Sequence, residues 1–225
     1  NRQPRLAQDL AWIEKYEAFY LDKRVTPEDE NKVIYLTFDV GYENGNVAKI
    51  LDVLKKEGVS GAFFILSNVV KREEALVKRM TDEGHLVCNH TAHHKDMSKI
   101  ADRASFEAEL KALEDICLKK TGREMAKYYR PPEGKFSESN LQHAKELGYS
   151  TIFWSFAYAD WDNGNQPSPD KAKSKILSSV HNGAVILLHP TSKTNADILD
   201  DVINELKAQG YSFGTLDELY SRVCK

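Results

Sequence analysis

Segments typical of β-strands alternate with segments typical of helices along most of this chain, and no other feature limits its fold so strongly. The strand candidates are Val33–Phe38, Gly61–Leu66, Leu86–Asn89, Lys127–Arg130, Thr151–Trp154, Ala184–Leu188 and Tyr211–Phe213. The helix candidates are Asn46–Glu57, Lys71–Glu83, Ser105–Lys119, Ser137–Leu147, Asp170–Ser179, Asn195–Gln209 and Thr215–Ser221. Most helix candidates end at or near a glycine, which often follows a helix C-terminus. The alternation predicts an α/β fold, either a parallel barrel or a doubly wound sheet.

The chain before the first strand has a different pattern. Its apolar residues recur at near-helical spacing, and they are Leu6, Leu10, Ile13 and Phe19. A polar connection that contains Pro27 follows over Val25–Asn31. We therefore expect an N-terminal helical extension over residues 1–32 and one α/β domain over residues 33–225.

Composition and charge exclude several classes of protein. A length of 225 residues is normal for one α/β barrel. A formal net charge of −3 lacks the excess of positive charge that is typical of a nucleic-acid-binding protein. No apolar run reaches the roughly 18 residues that span a bilayer. Asn1–Gln8 lacks the shape of a signal peptide, so a signal or anchor is expected to lie outside this sequence. Cys88, Cys117 and Cys224 are odd in number and lack CxxC spacing, which argues against a disulfide scaffold or a zinc finger.

Polar residues follow the apolar segments at the end where α/β barrels carry their chemistry. Asp39 comes directly after the apolar run that ends at Phe38, and a buried carboxylate there needs a partner. One such Asp is commonly a turn residue, and one strand-end His is commonly structural. Coincidence does not explain five polar positions in one chain, so they predict an active site. They are Asp39, the histidines of 90–94, Arg130, Asp160 and His189.

Two of these positions suggest particular chemistry. His90 and His94 are four residues apart, so in a helical turn they would lie on one face within reach of a single metal ion. The alternative is a polar loop without a metal. Arg130 stays protonated and can bind a carboxylate through two hydrogen bonds. The prolines at 131 and 132 stiffen the loop that follows it, and Gly134 permits close backbone approach.

The order of the motifs resembles a known family. The motifs are Thr-Phe-Asp-x-Gly at 37–41, His-Thr-x-x-His at 90–94, Arg-Pro-Pro-x-Gly at 130–134, Asp-Trp at 160–161 and Leu-Leu-His at 187–189. From about Val33 to Tyr220 the chain is similar to the polysaccharide deacetylases, the NodB-homology domains of carbohydrate esterase family 4. The resemblance implies a distorted (β/α) barrel of about seven parallel strands. It also implies a hydrolase that removes N-acetyl groups from a sugar polymer, with residues 33–225 as its catalytic domain.

The resemblance assigns four catalytic roles. Asp39 would be the general base that deprotonates the attacking water, and Arg130 would hold that carboxylate in place and ionised. His189 would be the general acid, because an amide nitrogen leaves poorly until it is protonated. Asp160 would orient His189 and raise its pKa.

The resemblance also assigns substrate-binding residues. The backbone N–H of Glu133 would donate to the developing oxyanion. Trp161 and Leu187 would line the pocket for the acetyl methyl group, and Tyr42 would line the cleft.

The metal site departs from the family pattern. The family usually binds a divalent metal, most often zinc, which polarises the carbonyl and acidifies the water. His90 and His94 would be ligands here, but Val40 replaces the second Asp that usually supplies the third. Two histidines alone make a poor zinc site, so weak metal binding is expected. The coordination shell would be completed by Asp39, by Asn44 or Glu43, or by water and substrate.

The first motif indicates a branch of the family. The run Phe-Asp-Val-Gly-Tyr-Glu-Asn-Gly at 38–45 is similar to the branch that deacetylates muramic acid in peptidoglycan. In that branch the product closes to the muramic δ-lactam of spore cortex, and the second Asp is likewise missing. The fourth motif has Ala157 where an Asp is common. The resemblance implies a cell-wall enzyme of sporulation that works outside the cytoplasm on a peptidoglycan glycan strand, and we expect a monomer.

Other functions stay open. The same chemistry would suit N-acetylglucosamine in peptidoglycan, chitin oligomers or acetylated xylan. These substrates would be discriminated by Tyr42, Glu43, Asn44 and the loop Asp160–Pro169. A non-catalytic glycan-binding module is a further hypothesis, prompted by Val40, although the intact catalytic residues argue against it. A phosphate-binding α/β protein is disfavoured because the chain has no Gly-rich loop of the right form.

Overall fold

The computed structural model of the chain describes residues 8–224. The strands are β1 (Ala18–Phe19), β2 (Lys32–Val40), β3 (Ala62–Ile65), β4 (Leu86–Asn89), β5 (Ala126–Tyr129), β6 (Ser150–Ile152), β7 (Val185–Leu188) and β8 (Tyr211–Gly214). The α-helices are α1 (Asn46–Glu57), α2 (Ser67–Arg72), α3 (Glu74–Asp82), α4 (Arg103–Thr121), α5 (Glu138–Glu146), α6 (Pro169–Ser179), α7 (Lys193–Ala208) and α8 (Leu216–Val223). Short 3₁₀ helices lie at Gln8–Tyr16, Met97–Lys99 and Pro132–Gly134.

The described residues form two compact units. The first, unit 1, comprises Leu21–Ala62 and residues 154–224, and unit 2 comprises residues 8–20 and Phe63–Phe153. In unit 1 the strand β2 pairs in parallel with both β7 and β8. Residues 33–40 of β2 are therefore buried, as expected for a central strand of a parallel sheet. Phe38 is the register partner of Leu188, which places Asp39 and His189 at the same end of adjacent strands.

Unit 2 repeats this arrangement at a second strand pair. There β6 pairs in parallel with β1 and β5, and β5 pairs in parallel with β4. Asn89 at the end of β4 is the register partner of Tyr129 at the end of β5. His90 and Arg130 therefore follow a matched pair of strand ends, and the Arg130 N–H donates to the Asn89 carbonyl at 3.0 Å.

The N-terminal segment differs in part from the prediction. A 3₁₀ helix over Gln8–Tyr16 is followed by β1, so Phe19 belongs to a strand and not to a helix. Pairing with β6, in the register Ala18↔Thr151 and Phe19↔Ile152, accounts for the difference. Leu6 lies outside the described residues. The domain boundary after residue 32 stays a prediction.

One predicted helix is two helices. The segment predicted as Lys71–Glu83 contains the end of α2 and all of α3, with Glu73 between them in a non-helical conformation. The other predicted elements are present with ends that shift by up to two residues, and α1 and β4 have the predicted ends. Among residues 8–224, no helix is long and apolar enough to cross a membrane.

Candidate active site

Asp39 lies one residue before the end of β2, where the sequence predicted it. Its neighbours Phe38 and Val40 are fully buried, and Asp39 itself is only 9% exposed. Beneath it the Thr37 hydroxyl donates to the Ile186 carbonyl of β7 at 2.7 Å, which fixes the two strands side by side. The strand therefore holds a nearly buried carboxylate at a fixed position.

His189 and Asp160 form the hydrogen-bonded pair that the motifs predicted. His189 Nδ1 lies 2.7 Å from Asp160 Oδ1, and the backbone N–H of His189 donates to Asp160 Oδ2 at 2.8 Å. Asp160 is fully buried, whereas the His189 side chain is 26% exposed. Because the ionised carboxylate can only accept, His189 Nδ1 carries a proton and donates it to Asp160, so proton exchange with a substrate falls to Nε2. This is the geometry of a histidine oriented for acid–base chemistry.

The loop Asp160–Pro169, predicted to be an active-site loop, is tied to the start of α7. Gln166 Nε2 donates to the carbonyls of Asp160 and Asp162, both at 2.8 Å. The Thr194 hydroxyl donates to the Pro167 carbonyl at 3.0 Å, and Ser192 Oγ donates to Gln166 Oε1. These bonds hold a polar, glycine-containing loop in one conformation, and no sequence pattern indicated them.

The three substrate-binding candidates of unit 1 have very different exposures. Leu187 is buried within β7, where its N–H donates to the Phe156 carbonyl at 2.9 Å. Trp161 is 65% exposed and Tyr42 is 46% exposed. Asn163 donates to the Tyr42 hydroxyl, which links the loop after β2 to the loop that carries Trp161. Two exposed aromatic rings beside polar groups suit contact with a sugar ring.

His90 and His94 come together in a different way from the prediction. Residues 90–96 form a loop and not a helical turn, yet the two imidazole ring centroids are 5.1 Å apart. Positive φ angles at Thr91 (73°) and His94 (55°) bend the loop back, and the His94 N–H donates to Thr91 Oγ1 at 3.0 Å. Such angles are uncommon for residues other than glycine and are held by their surroundings.

Several buried groups support this histidine loop. Asn89 accepts from the Thr91 N–H at 2.9 Å and donates to Tyr149 Oη at 3.1 Å. Glu109 of α4 pairs with Lys95 at 2.5 Å and with His93 at 3.1 Å. Burial raises the pKa of Glu109, but the bonds from Lys95 and His93 outweigh it, so the net pKa is lowered. No sequence motif indicated the role of Glu109, which is 16 residues from His93.

Arg130 is fully buried and is anchored within unit 2. Its Nε donates to the Ile152 carbonyl at 2.9 Å and its Nη2 to the Phe153 carbonyl at 3.1 Å. Its guanidinium lies 4.2 Å from the centroid of the Phe64 ring. His90 Nδ1 contacts the Arg130 carbonyl at 2.8 Å, so Nε2 is the nitrogen of His90 that is suited to bind a metal.

Glu133 lies in the turn after β5 with a φ of 56°. Its carboxylate pairs with Lys135 at 2.6 Å, and that hydrogen bond lowers the pKa of the exposed Glu133 side chain. The side chain is thus occupied at the surface, and the role predicted for this residue concerns its backbone N–H alone.

The residues fit a divalent metal only in part. Within residues 8–224, no group of three or more His, Cys, Asp or Glu side chains has the arrangement of a metal site. Asn44, one candidate for the third ligand, donates to the Thr191 carbonyl at 2.8 Å, and Glu43 accepts from the Gly45 N–H. The Asn44 bond crosses to the start of α7, and the second carboxylate oxygen of Glu43, Oε2, is buried without a hydrogen-bond partner among the described residues. The two imidazoles are the ligands that the histidine loop itself brings together.

The model of the family described as polysaccharide deacetylase matches residues 26–152, more than half of the chain. The chain belongs to the polysaccharide deacetylase family. This confirms the predicted family. The match includes Asp39, the histidine loop and Arg130, whereas Asp160 and His189 lie beyond it.

Relatives extend the similarity over nearly the whole chain. Peptidoglycan-N-acetylmuramic acid deacetylase PdaA of Bacillus subtilis is 47% identical over 97% of this chain and 82% of its own length. The solved structure of B. subtilis PdaA, described as a family 4 carbohydrate esterase, has a TM-score of 0.89 over 97% of this chain and 91% of that chain, at 44% identity. Peptidoglycan-N-acetylglucosamine deacetylase PgdA of Listeria monocytogenes is 37% identical over 84% of this chain and 39% of its own length. The predicted fold class is confirmed as an α/β fold with a sheet of mostly parallel strands, and the predicted enzyme class is confirmed.

Proposed function

We propose that this chain hydrolyses the N-acetyl group of N-acetylmuramic acid residues in peptidoglycan glycan strands. The observation that carries the proposal is the Asp160–His189 pair, with its 2.7 Å bond, in a chain 47% identical to a muramic acid deacetylase over 97% of its length. We further propose that the amine product serves muramic δ-lactam formation in spore cortex, and that the enzyme works outside the cytoplasm as a monomer.

In the proposed reaction Asp39 removes a proton from water as the water oxygen attacks the acetamide carbonyl carbon. The carbonyl oxygen becomes an oxyanion, to which the Glu133 N–H donates a hydrogen bond. His189 then gives its Nε2 proton to the amide nitrogen, the carbon–nitrogen bond breaks, and acetate and the free amine leave. His189 Nδ1 keeps its proton throughout and donates it in a hydrogen bond to Asp160, whose negative charge stabilises the imidazolium. Arg130 supplies a permanent positive charge that favours the ionised base.

A divalent metal, with zinc first among candidates, would be held by His90 and His94. When bound it would polarise the acetamide carbonyl and lower the pKa of the attacking water. The Nδ1 contact of His90 with the Arg130 carbonyl supports ligation through Nε2. Two protein ligands support a weak site.

The similarity to PgdA favours a second candidate, de-N-acetylation of N-acetylglucosamine in peptidoglycan. The reaction would be the same and only the sugar would differ. A non-catalytic glycan-binding module is disfavoured, because binding alone needs no histidine held by a buried carboxylate.

The proposal is tested by acetate release from peptidoglycan and from chitin oligomers, each with and without a chelator. The peptidoglycan is supplied with its stem peptides intact or removed by an amidase. Release from peptidoglycan with none from chitin oligomers supports a peptidoglycan substrate, and mass spectrometry of the digested glycan then assigns the lost acetyl group to muramic acid, as proposed, or to glucosamine, the second candidate. Release from chitin oligomers alone rejects the proposal. No release from any glycan favours the hypothesis of a non-catalytic glycan-binding module.

A further inference from the structure

The Asp160 carboxylate is fully buried and has a third donor besides the two from His189. Asn195 Nδ2 donates to Asp160 Oδ2 at 2.6 Å and to the His189 carbonyl at 3.1 Å. Asn195 is buried as well. A buried carboxylate needs donors on both oxygens, and Asn195 is the one side chain besides His189 that the structure shows donating to it among the hydrogen bonds described.

Tyr158 fixes which way the Asn195 amide points. The Tyr158 hydroxyl donates to Asn195 Oδ1, so the amide NH₂ faces the carboxylate. The opposite orientation would set the amide oxygen against Asp160. Burial, and then the charge of Asp160, raise the pKa of Tyr158, so its hydroxyl keeps the proton that it donates.

Asn195 is also rigid at its backbone. It lies in the first turn of α7, where its N–H donates to Ser192 Oγ at 3.1 Å. Ser192 caps the helix, and a helix N-terminus favours a nearby negative charge. A donor held on a helix needs no rearrangement when charge moves onto the imidazole.

From this geometry we infer that Asn195 is a positioning residue for acid–base catalysis: it fixes the Asp160 carboxylate in the orientation that aligns His189, and Tyr158 holds Asn195 in turn. The inference rests on the proposed function, because it assigns Asn195 to the reaction of His189. Without the amide, one Asp160 oxygen keeps only the backbone N–H of His189, and the carboxylate gains freedom to rotate. The imidazole then spends less time aligned with a leaving amine.

A purely structural role is the competing explanation. Asn195 contacts the carbonyl of His189 as well as the carboxylate, so its loss also loosens local packing. Asn182 is a matched control, because it is equally buried in unit 1. It accepts from the Val33 N–H and donates to the Thr26 carbonyl, both at 2.8 Å, and it touches neither member of the catalytic pair in the hydrogen bonds described.

The test compares Asn195→Ala, Tyr158→Phe and the control Asn182→Ala in the full chain. For Asn195→Ala, kcat on muramic-acid-containing glycan falls by roughly 10–100-fold, which is a fraction of the rate enhancement that a general acid provides. KM stays within about twofold of wild type. Tyr158→Phe also lowers kcat, but by a smaller factor than Asn195→Ala. Asn182→Ala lowers the free energy of unfolding and leaves kcat within about twofold of wild type.

The second readout needs no turnover. The proton that His189 Nδ1 shares with Asp160 gives a downfield proton resonance, which is assigned by its loss in His189→Ala. We predict that it shifts upfield or broadens in Asn195→Ala and is unchanged in Asn182→Ala. An unchanged resonance in a folded Asn195→Ala protein, or a kcat loss no larger than that of the control, overturns the inference. If Asn195→Ala does not fold, Tyr158→Phe decides by the same criteria. Failure of wild type to release acetate rejects the proposed function instead.

Discussion

Asp39 and His189 follow the two members of one register pair, Phe38 and Leu188, on the adjacent parallel strands β2 and β7. The proposed base and the proposed acid therefore stand at equivalent ends of neighbouring strands. His189 is then fixed by its 2.7 Å bond to Asp160, while Asp39 is fixed by the buried strand itself. Two groups of opposite role at matched strand ends are what proton removal and proton delivery in one reaction require.

Removing either proton-transfer group is predicted to stop turnover. Asp39→Asn and His189→Ala should each lower kcat by roughly 10²–10⁴-fold, the usual worth of a general acid or base. Acetate release at saturating glycan measures the effect, and circular dichroism checks the fold. The control is Asp52→Asn on the exposed side of α1, which should keep wild-type turnover. Near-wild-type rates in either catalytic variant would reject the acid–base roles.

Adding a carboxylate at position 40 is predicted to tighten metal binding. Val40→Asp restores the residue that family members usually carry, and a third protein ligand completes the usual set of a catalytic zinc site. Calorimetric titration with zinc should show a lower Kd than wild type. The double variant Val40→Asp with His90→Ala should lose the gain. Equal affinities for wild type and Val40→Asp would show that position 40 does not face the metal.

Loss of the exposed indole is predicted to weaken glycan binding without loss of stability. Trp161 is 65% exposed, so Trp161→Ala removes little buried surface. An aromatic contact with sugar should be worth roughly twofold to tenfold in KM, with a smaller change in kcat. Trp12→Ala, which alters a partly exposed Trp in unit 2, is the matched variant and should leave KM unchanged. A melting temperature that falls more for Trp161→Ala than for Trp12→Ala would indicate a packing role instead.

A buried histidine outside the catalytic pair is predicted to make stability depend on pH. His181 Nε2 lies 2.9 Å from Ser155 Oγ, and its Nδ1 lies 2.8 Å from the Asn182 carbonyl. Burial lowers the pKa of His181 below its ordinary value of 6.5. The folded protein thus binds this proton more weakly than the unfolded chain, so stability is full above the ordinary pKa and falls as the pH drops below it.

Urea unfolding of wild type and His181→Gln at about pH 7.5 and pH 5.5 tests this dependence, because the two values bracket the ordinary histidine pKa. The free energy of unfolding should fall more steeply with acid in wild type than in His181→Gln. The same slope in both proteins would mean that His181 does not contribute to the acid sensitivity.

Local signals predicted most of the fold. The ends of α1 were predictable because an apolar face repeats through it and Gly58, with a φ of 62°, follows its last residue. The strand β1 was not predictable, because two residues carry no periodicity and its pairing partner β6 lies far away in sequence. The break at Glu73 has no proline or glycine to mark it, so α2 and α3 were predicted as one helix.

The residues of the candidate site were also predictable only in part. Asp39, Arg130 and His189 were predictable because each follows an apolar strand within a short motif. Asn195 was not, because it is 35 residues from Asp160 and looks like an ordinary residue of a helix start. The histidine pair was predicted for the wrong local reason. The contact depends on positive φ angles at Thr91 and His94, which the four-residue spacing cannot show.

Mass spectrometry of glycan fragments tests the central claim most directly. Peptidoglycan freed of stem peptides is incubated with the wild-type chain or with Asp39→Asn and then digested. The acetyl content of muramic acid and of glucosamine is measured separately in the fragments. The proposed function predicts loss of acetyl from muramic acid with wild type only, and intact N-acetylglucosamine in both. Loss of acetyl from glucosamine with muramic acid untouched would contradict it.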